Sequence, residues 1–154
     1  PGAAEVAEVD LATIVHESDA VIAMPVAKCH SSAGVSFSMK GNMGLIQARG
    51  PFHSRYDLHQ AVVDLAKLIQ PTLVITDAQR ALVTRGPGGP GRVETPGAIL
   101  AGLNAASVDA YAVGLAQWYN RAFRPDQVRH IRLAGEQGLG IIDTDQMLIN
   151  RVTV

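Results

Sequence analysis

A single cysteine, Cys29, stands among the 154 residues of this chain. That excludes an intramolecular disulfide and falls short of the several thiolates that hold an iron–sulfur cluster. Aromatic residues make up only 5% of the sequence, too few to lay out a base-stacking platform. Neither sign of charge dominates, since 13 lysines and arginines against 14 aspartates and glutamates leave a formal net charge of -1. Nucleic acid and acidic membrane surfaces have no global electrostatic hold on such a chain, so any anion must be bound locally. No apolar stretch approaches the ~20 residues that cross a bilayer, and no basic segment followed by an apolar one reads as a leader. The expectation is a cytoplasmic protein with neither nucleic acid nor membrane as partner.

What is present suits a folded domain. With 47% of residues hydrophobic, a chain of this length buries roughly two-thirds of its unfolded surface, and residues 1–154 read as one α/β domain. Asp10 is placed to cap a short helix through Glu17, which feeds an apolar strand at 20–24. Val35, Phe37 and Met39 alternate as a short strand. Asp57 caps the clearest helix, where Leu58, Val62, Leu65 and Ile69 recur on one face until Pro71 stops it. A strand at 73–76 follows, with Asp77 at its carboxyl end. The glycine- and proline-rich stretch 84–91 reads as a shaped turn or a lid, and 98–103 as a third strand. A helix begins at Asn104 or Ser107 and runs to Gln117, with Asp109 in its first turn, where the dipole favours a carboxylate. A last helix opens at Pro125 and turns Val128, Ile131 and Ala134 inward, and 147–154 alternates as an edge strand. Helix, strand and acid in succession predict a three-layer fold with a mostly parallel sheet and helices on both faces. A central-type strand so near the start lacks a neighbour, so the sheet should be incomplete on its N-terminal side.

The chemistry concentrates between Ala20 and Gly44. Pro25 should end the first strand or sit at its margin, leaving Lys28, Cys29 and His30 in the loop beyond it. Ligands of open α/β sheets sit outside strand carboxyl ends, so this loop and Asp77 are expected to share a crevice. Lys28 and Lys40 would hold an anionic group there. His30 could move a proton, and Asp77 could orient it or accept one. Asn42 and Gly44 join them as ligand-binding candidates, because glycines and exposed backbone N–H groups beside a lysine make an anion nest. The spacing matches neither the phosphate-loop nor the dinucleotide fingerprint. His30, His53 and Asp77, with His59 further off, are the candidates for a metal, without any paired ligand spacing. Cys29 reads as a small buried residue or, less readily, a nucleophile.

The order of these motifs carries a resemblance. P-x-x-K-x-H (Pro25, Lys28, His30), K-x-N-x-G (Lys40, Asn42, Gly44), a downstream His53, Asp77, G-P-x-G (Gly86, Pro87, Gly89) and S-V-D-A (Ser107 to Ala110) together resemble the domain of unknown function 362 family over roughly 19–142. In that family the asparagine usually follows the lysine directly, whereas Gly41 intervenes here. The resemblance implies the C-terminal part of a longer domain. Many members carry an added ferredoxin-type segment rich in cysteine and are described as iron–sulfur proteins. No such segment occurs here, so no cluster is expected from this chain alone, and no other cofactor is indicated.

Three functional expectations follow. The first is a small-molecule anion site, with or without catalysis. The second is a metal-binding or electron-transfer module that meets a ferredoxin-like partner. The third is a half-domain completed by a second copy or another chain.

Overall fold

The computed structural model describes residues 3–153. Its framework is β4, Leu73–Leu82, against which every pairing but one is made. Strands β1, Ile22–Ala23, and β2, Val26–His30, both run parallel to β4, with Ile22 opposite Leu73 and Val26 opposite Asp77. Strands β5, Val93–Glu94, and β6, Ala98–Gly102, pair with β4 antiparallel, while β3, Gly34–Ser36, turns back antiparallel on β2. The protein is thus α/β, with an open six-stranded sheet that is parallel along β1 and β2 and antiparallel at its margins.

Pro25 interrupts the first strand but does not end it. It has no N–H to donate, yet its carbonyl accepts from the N–H of Asp77 at 2.9 Å, so pairing resumes at Val26. A register shift between Val26 and Lys28 then accommodates the break, and Lys28 comes opposite Leu82.

Among the described residues there are six α-helices: α1, Thr13–Glu17; α2, Ser38–Gly41; α3, Gly50–Ser54; α4, Leu58–Leu68; α5, Ala105–Val113; and α6, Arg129–Glu136. Asp57 caps α4 as its position implies, accepting from the N–H of His59 at 3.1 Å, and Asn104 caps α5 by accepting from Ser107 at 2.9 Å. Asp10 caps nothing: α1 starts at Thr13, buries no residue, and has Ala12 before it. Residues 38–41 leave the expected strand for a helical turn. Helix α5 ends at Val113, short of Gln117, and Pro125 opens only a 3-10 turn before α6. The alternating segment 147–153 pairs with no strand, and Leu148 and Val152 stand 93% and 85% exposed. Val154 lies outside the described residues.

Helices α2, α4, α5 and α6 pack on one another, and α5 lies against β4 and β6. Between these layers sit Val35, Phe37, Met39, Val62, Leu65, Val83 and Trp118, all almost wholly buried. Phe37 meets Trp118 edge to face, with centroids 5.3 Å apart, and the indole N–H donates to the Val113 carbonyl at 2.8 Å. On the other side of the sheet Ile22, Met24, Val26 and Ile99 stay more than half exposed, with Asp77 between Val26 and Ile99 in register.

Candidate functional site

Successive side chains of a strand point to opposite faces. In β2 this sends Ala27 and Cys29 into the core, at 1% and 0% exposure, and turns Lys28 and His30 together to the other side. The structure therefore places Lys28, Cys29 and His30 in a strand, not in the loop that Pro25 led one to expect. His30 lies where the β2–β3 hairpin turns, and its Nδ1 accepts from the N–H of Ser32 at 3.3 Å. With Nδ1 occupied as an acceptor, hydrogen bonding assigns the proton of the neutral ring to Nε2, which is left as a donor.

Lys40 arrives by a different route. The two oxygens of Asp109, a wholly buried α5 residue, accept from the first N–H groups of α2, Ser38 at 2.9 Å and Met39 at 2.8 Å. Asp109 is thus a cap for another helix and not a carboxylate of its own first turn. It fixes the turn that presents Lys40, a residue only 8% exposed whose ammonium has the Met43 sulfur at 3.3 Å as its partner. Asn42 is buried and donates to the Ile69 carbonyl at 3.0 Å, tying this segment to the end of α4. The expected glycine nest is a helical turn instead, since the N–H of Gly41 is used by the Phe37 carbonyl at 2.9 Å and Gly44 is exposed in a 3-10 turn.

His53, on α3, places its ring parallel to that of His30, with centroids 5.9 Å and planes 8° apart. The structure so brings Lys28, His30, Lys40 and His53 into one basic group. It does not bring Asp77. Strand β4 runs on to Leu82 because β5 and β6 continue its pairing, so Asp77 lies mid-strand, exposed, and accepts from the N–H of Gln79 at 2.9 Å. It is opposite Val26, at the far end of β2 from His30.

A fifth basic residue was not among the sequence candidates. His130, on α6, is fully buried, and its ring lies 5.8 Å from that of His59 on α4. The only sequence signal was a histidine four residues before Ala134, on the inward side of a helix, which is not distinctive.

The electrostatics of the group run in one direction. Burial, then Lys40, His53 and Lys28, push His30 down to about 4. Burial lowers Lys28, and burial followed by Lys28 lowers Lys40. His130 falls to about 3 through burial, His59, Lys40 and His30. Burial also lowers His59, with Arg129 adding to the effect and Asp57 opposing it. No carboxylate contributes to the shift of Lys28, His30, Lys40 or His130. Ion pairs among the described residues all use arginine, as in Arg129 with Asp57 and Arg132 with Glu136.

Cys29 is packed, not presented: the N–H of Gly86 donates to its sulfur at 3.1 Å. Tyr119 beside it is raised to about 12 by burial and by the thiol. One thiol so engaged does not fit a cysteine-ligated cluster. Nor do three His, Cys, Asp or Glu side chains come together for a metal among the described residues. The glycine–proline stretch is a turn between β4 and β5 that packs on β2, since the Gly86 carbonyl accepts from Ser31 at 3.2 Å. Two clefts open elsewhere. One of about 430 Å³ is lined by Glu5, Glu8, Asp10, Phe52 and Tyr56, and one of about 540 Å³ by Met39, Lys67, Thr72 and Asn104 among others. Neither is lined by Lys28, His30 or Lys40, and their volume is a weaker guide to chemistry than convergent charge.

Among known protein families, the model described as Domain of unknown function (DUF362) matches residues 1–114. The chain belongs to the DUF362 family. No curated protein and no solved structure matches it. The DUF362 match takes in Lys28, His30, Lys40 and Asp109 and stops before α6, so His130 comes from outside it. No helix among the described residues is long and apolar enough to cross a membrane.

Proposed function

We propose that this DUF362 chain binds a small anion at Lys28, His30 and Lys40. The observation that carries the reading is a set of buried or half-buried basic side chains, in which Lys28 acts on Lys40 and both lysines act on His30, with no carboxylate acting on any of the three. Bringing cationic groups together out of water is costly unless opposite charge is supplied. A carboxylate or phosphate supplies it. Lys28 and Lys40 would hold the charge, and the Nε2–H of His30 would donate to the same group.

His30 is neutral near pH 7 and carries its proton on Nε2, so the ring by itself suits a donor more than a base. A bound anion raises its pKa toward neutrality, and only then does the ring become a general acid. Catalysis, where it occurs, therefore depends on the ligand first completing the charge balance.

Replacing Lys40 with methionine tests this directly. Charge-assisted hydrogen bonds are worth ~1.5–3 kcal/mol, so the variant should bind inorganic phosphate or acetate about ten- to a hundredfold more weakly by calorimetry. Its melting temperature should not fall, because a desolvated ammonium with a sulfur partner is replaced by an apolar chain of similar length. Equal binding by both proteins, or none by the wild type, rules the reading out.

A further inference from the structure

His130 is the least satisfied polar group in the core. It is 0% exposed, and neither ring nitrogen has a hydrogen-bond partner. The ring it faces, His59, has its Nδ1 buried and unpartnered as well. Three orphaned ring nitrogens thus lie on two stacked rings where α4 packs on α6. Buried polar groups in native proteins are nearly always bonded, and two apolar rings would fill the same space without the penalty.

The surroundings say what could satisfy them. Lys40 and His30 are close enough to act on His130, and Arg129 stands beside His59. The nearby carboxylate of Asp57 is held by Arg129, whose Nη1 donates to it at 2.9 Å. Among the described residues no third His, Cys, Asp or Glu joins the two rings to hold a metal ion. A neutral imidazole offers one N–H and one lone pair, and a hydroxyl both donates and accepts, so it can bridge two such rings.

Resting on the anion site argued above, we propose that His59 and His130 form its inner subsite and that the ligand is a hydroxylated anion. Its anionic head lies at Lys28, His30 and Lys40, and its hydroxyl bonds to unpartnered nitrogens at the edges of the two inner rings. This sets a substrate class, small hydroxy acids or their phosphate counterparts, and makes His59 and His130 residues that choose among anions.

The test compares matched probes on the whole chain: acetate with glycolate, and ethyl phosphate with 2-hydroxyethyl phosphate. In at least one pair the hydroxylated member should bind at least about tenfold tighter, the factor that one net hydrogen bond supplies. His130→Phe should reduce that ratio to within about twofold, a readout that general loosening would not produce. His59→Phe should do the same and serves if the first variant does not fold, and the wild-type ratios need no variant at all. Binding of plain and hydroxylated anions with equal affinity overturns the inner subsite and leaves the anion site standing, with water at the ring edges. A preference that survives both substitutions overturns it too. If the wild type binds none of the four probes, the anion site itself fails and the subsite with it.

Discussion

Asp109→Ala should cost the fold about 3 kcal/mol and abolish anion binding, because two buried backbone donors lose their acceptor at once. Each buried donor left unmade costs ~1–3 kcal/mol, and the N–H groups of Ser38 and Met39 have the Asp109 oxygens as their partners. The effect should reach Lys40, since α2 is a single turn of four residues that this carboxylate anchors. Urea unfolding measures the loss, and hydrogen exchange should show protection vanishing across 38–41. Unchanged exchange there would mean that Asp109 does not hold the turn.

Asp109→Asn separates charge from shape. Burial pushes Asp109 up to about 7, against the two backbone hydrogen bonds that pull it down. A carboxyl whose folded pKa lies above its ordinary 3.8 favours folding at low pH. That contribution is complete below 3.8 and is lost as pH rises through about 7. The amide variant lacks this decline, so its deficit relative to wild type should be larger at pH 5 than at pH 8. A deficit that grows with pH would reverse the sign and refute the assignment. His30 and His130 act oppositely. Their folded values of about 4 and about 3 lie below 6.5, so their contribution is present above 6.5 and lost as pH falls through those values.

The second large effect is expected at Gly86. A Cβ there would overlap the Cys29 carbonyl and stand 2.8 Å from its sulfur, and both belong to buried, paired β2. Backbone cannot step aside as a flexible side chain does, so Gly86→Ala should cost ~3 kcal/mol, the upper end of overpacking penalties. It should also displace the end of β2 that carries His30. Gly88 in the same turn has open space around its Cβ position, and Gly88→Ala should change stability by less than about 0.5 kcal/mol. Similar losses at both positions would show a general intolerance of the turn and not a specific contact with Cys29.

The sequence displayed what is local. The four- and three-residue recurrence of Leu58, Val62, Leu65 and Ile69, with Asp57 in front, specifies α4 because period and cap agree. The polar run after Pro25 marked Lys28, His30 and Lys40, and the fold gathers them. What stayed hidden is set by contacts distant in the chain. Leu73–Leu82 is one long strand because β5 and β6 pair with it, and the polar letters of Asp77, Gln79 and Arg80 hid that extension on the exposed side. Asp109 looked like an ordinary helix-start acid, since nothing adjacent reveals that it reaches 71 residues back to Ser38. His130 likewise gains meaning only from its packing against His59.

The most direct test of the basic group is the proton titration of His30, followed by NMR of its imidazole with and without inorganic phosphate. Without anion the ring should titrate at about 4. Saturating phosphate should raise that value by at least about one unit, equivalent to ~1.4 kcal/mol of coupling, and Lys40→Met should remove most of the rise. A His30 that titrates near 6.5, or one that phosphate leaves unmoved, would contradict the assignment of Lys28, His30 and Lys40 as an anion site.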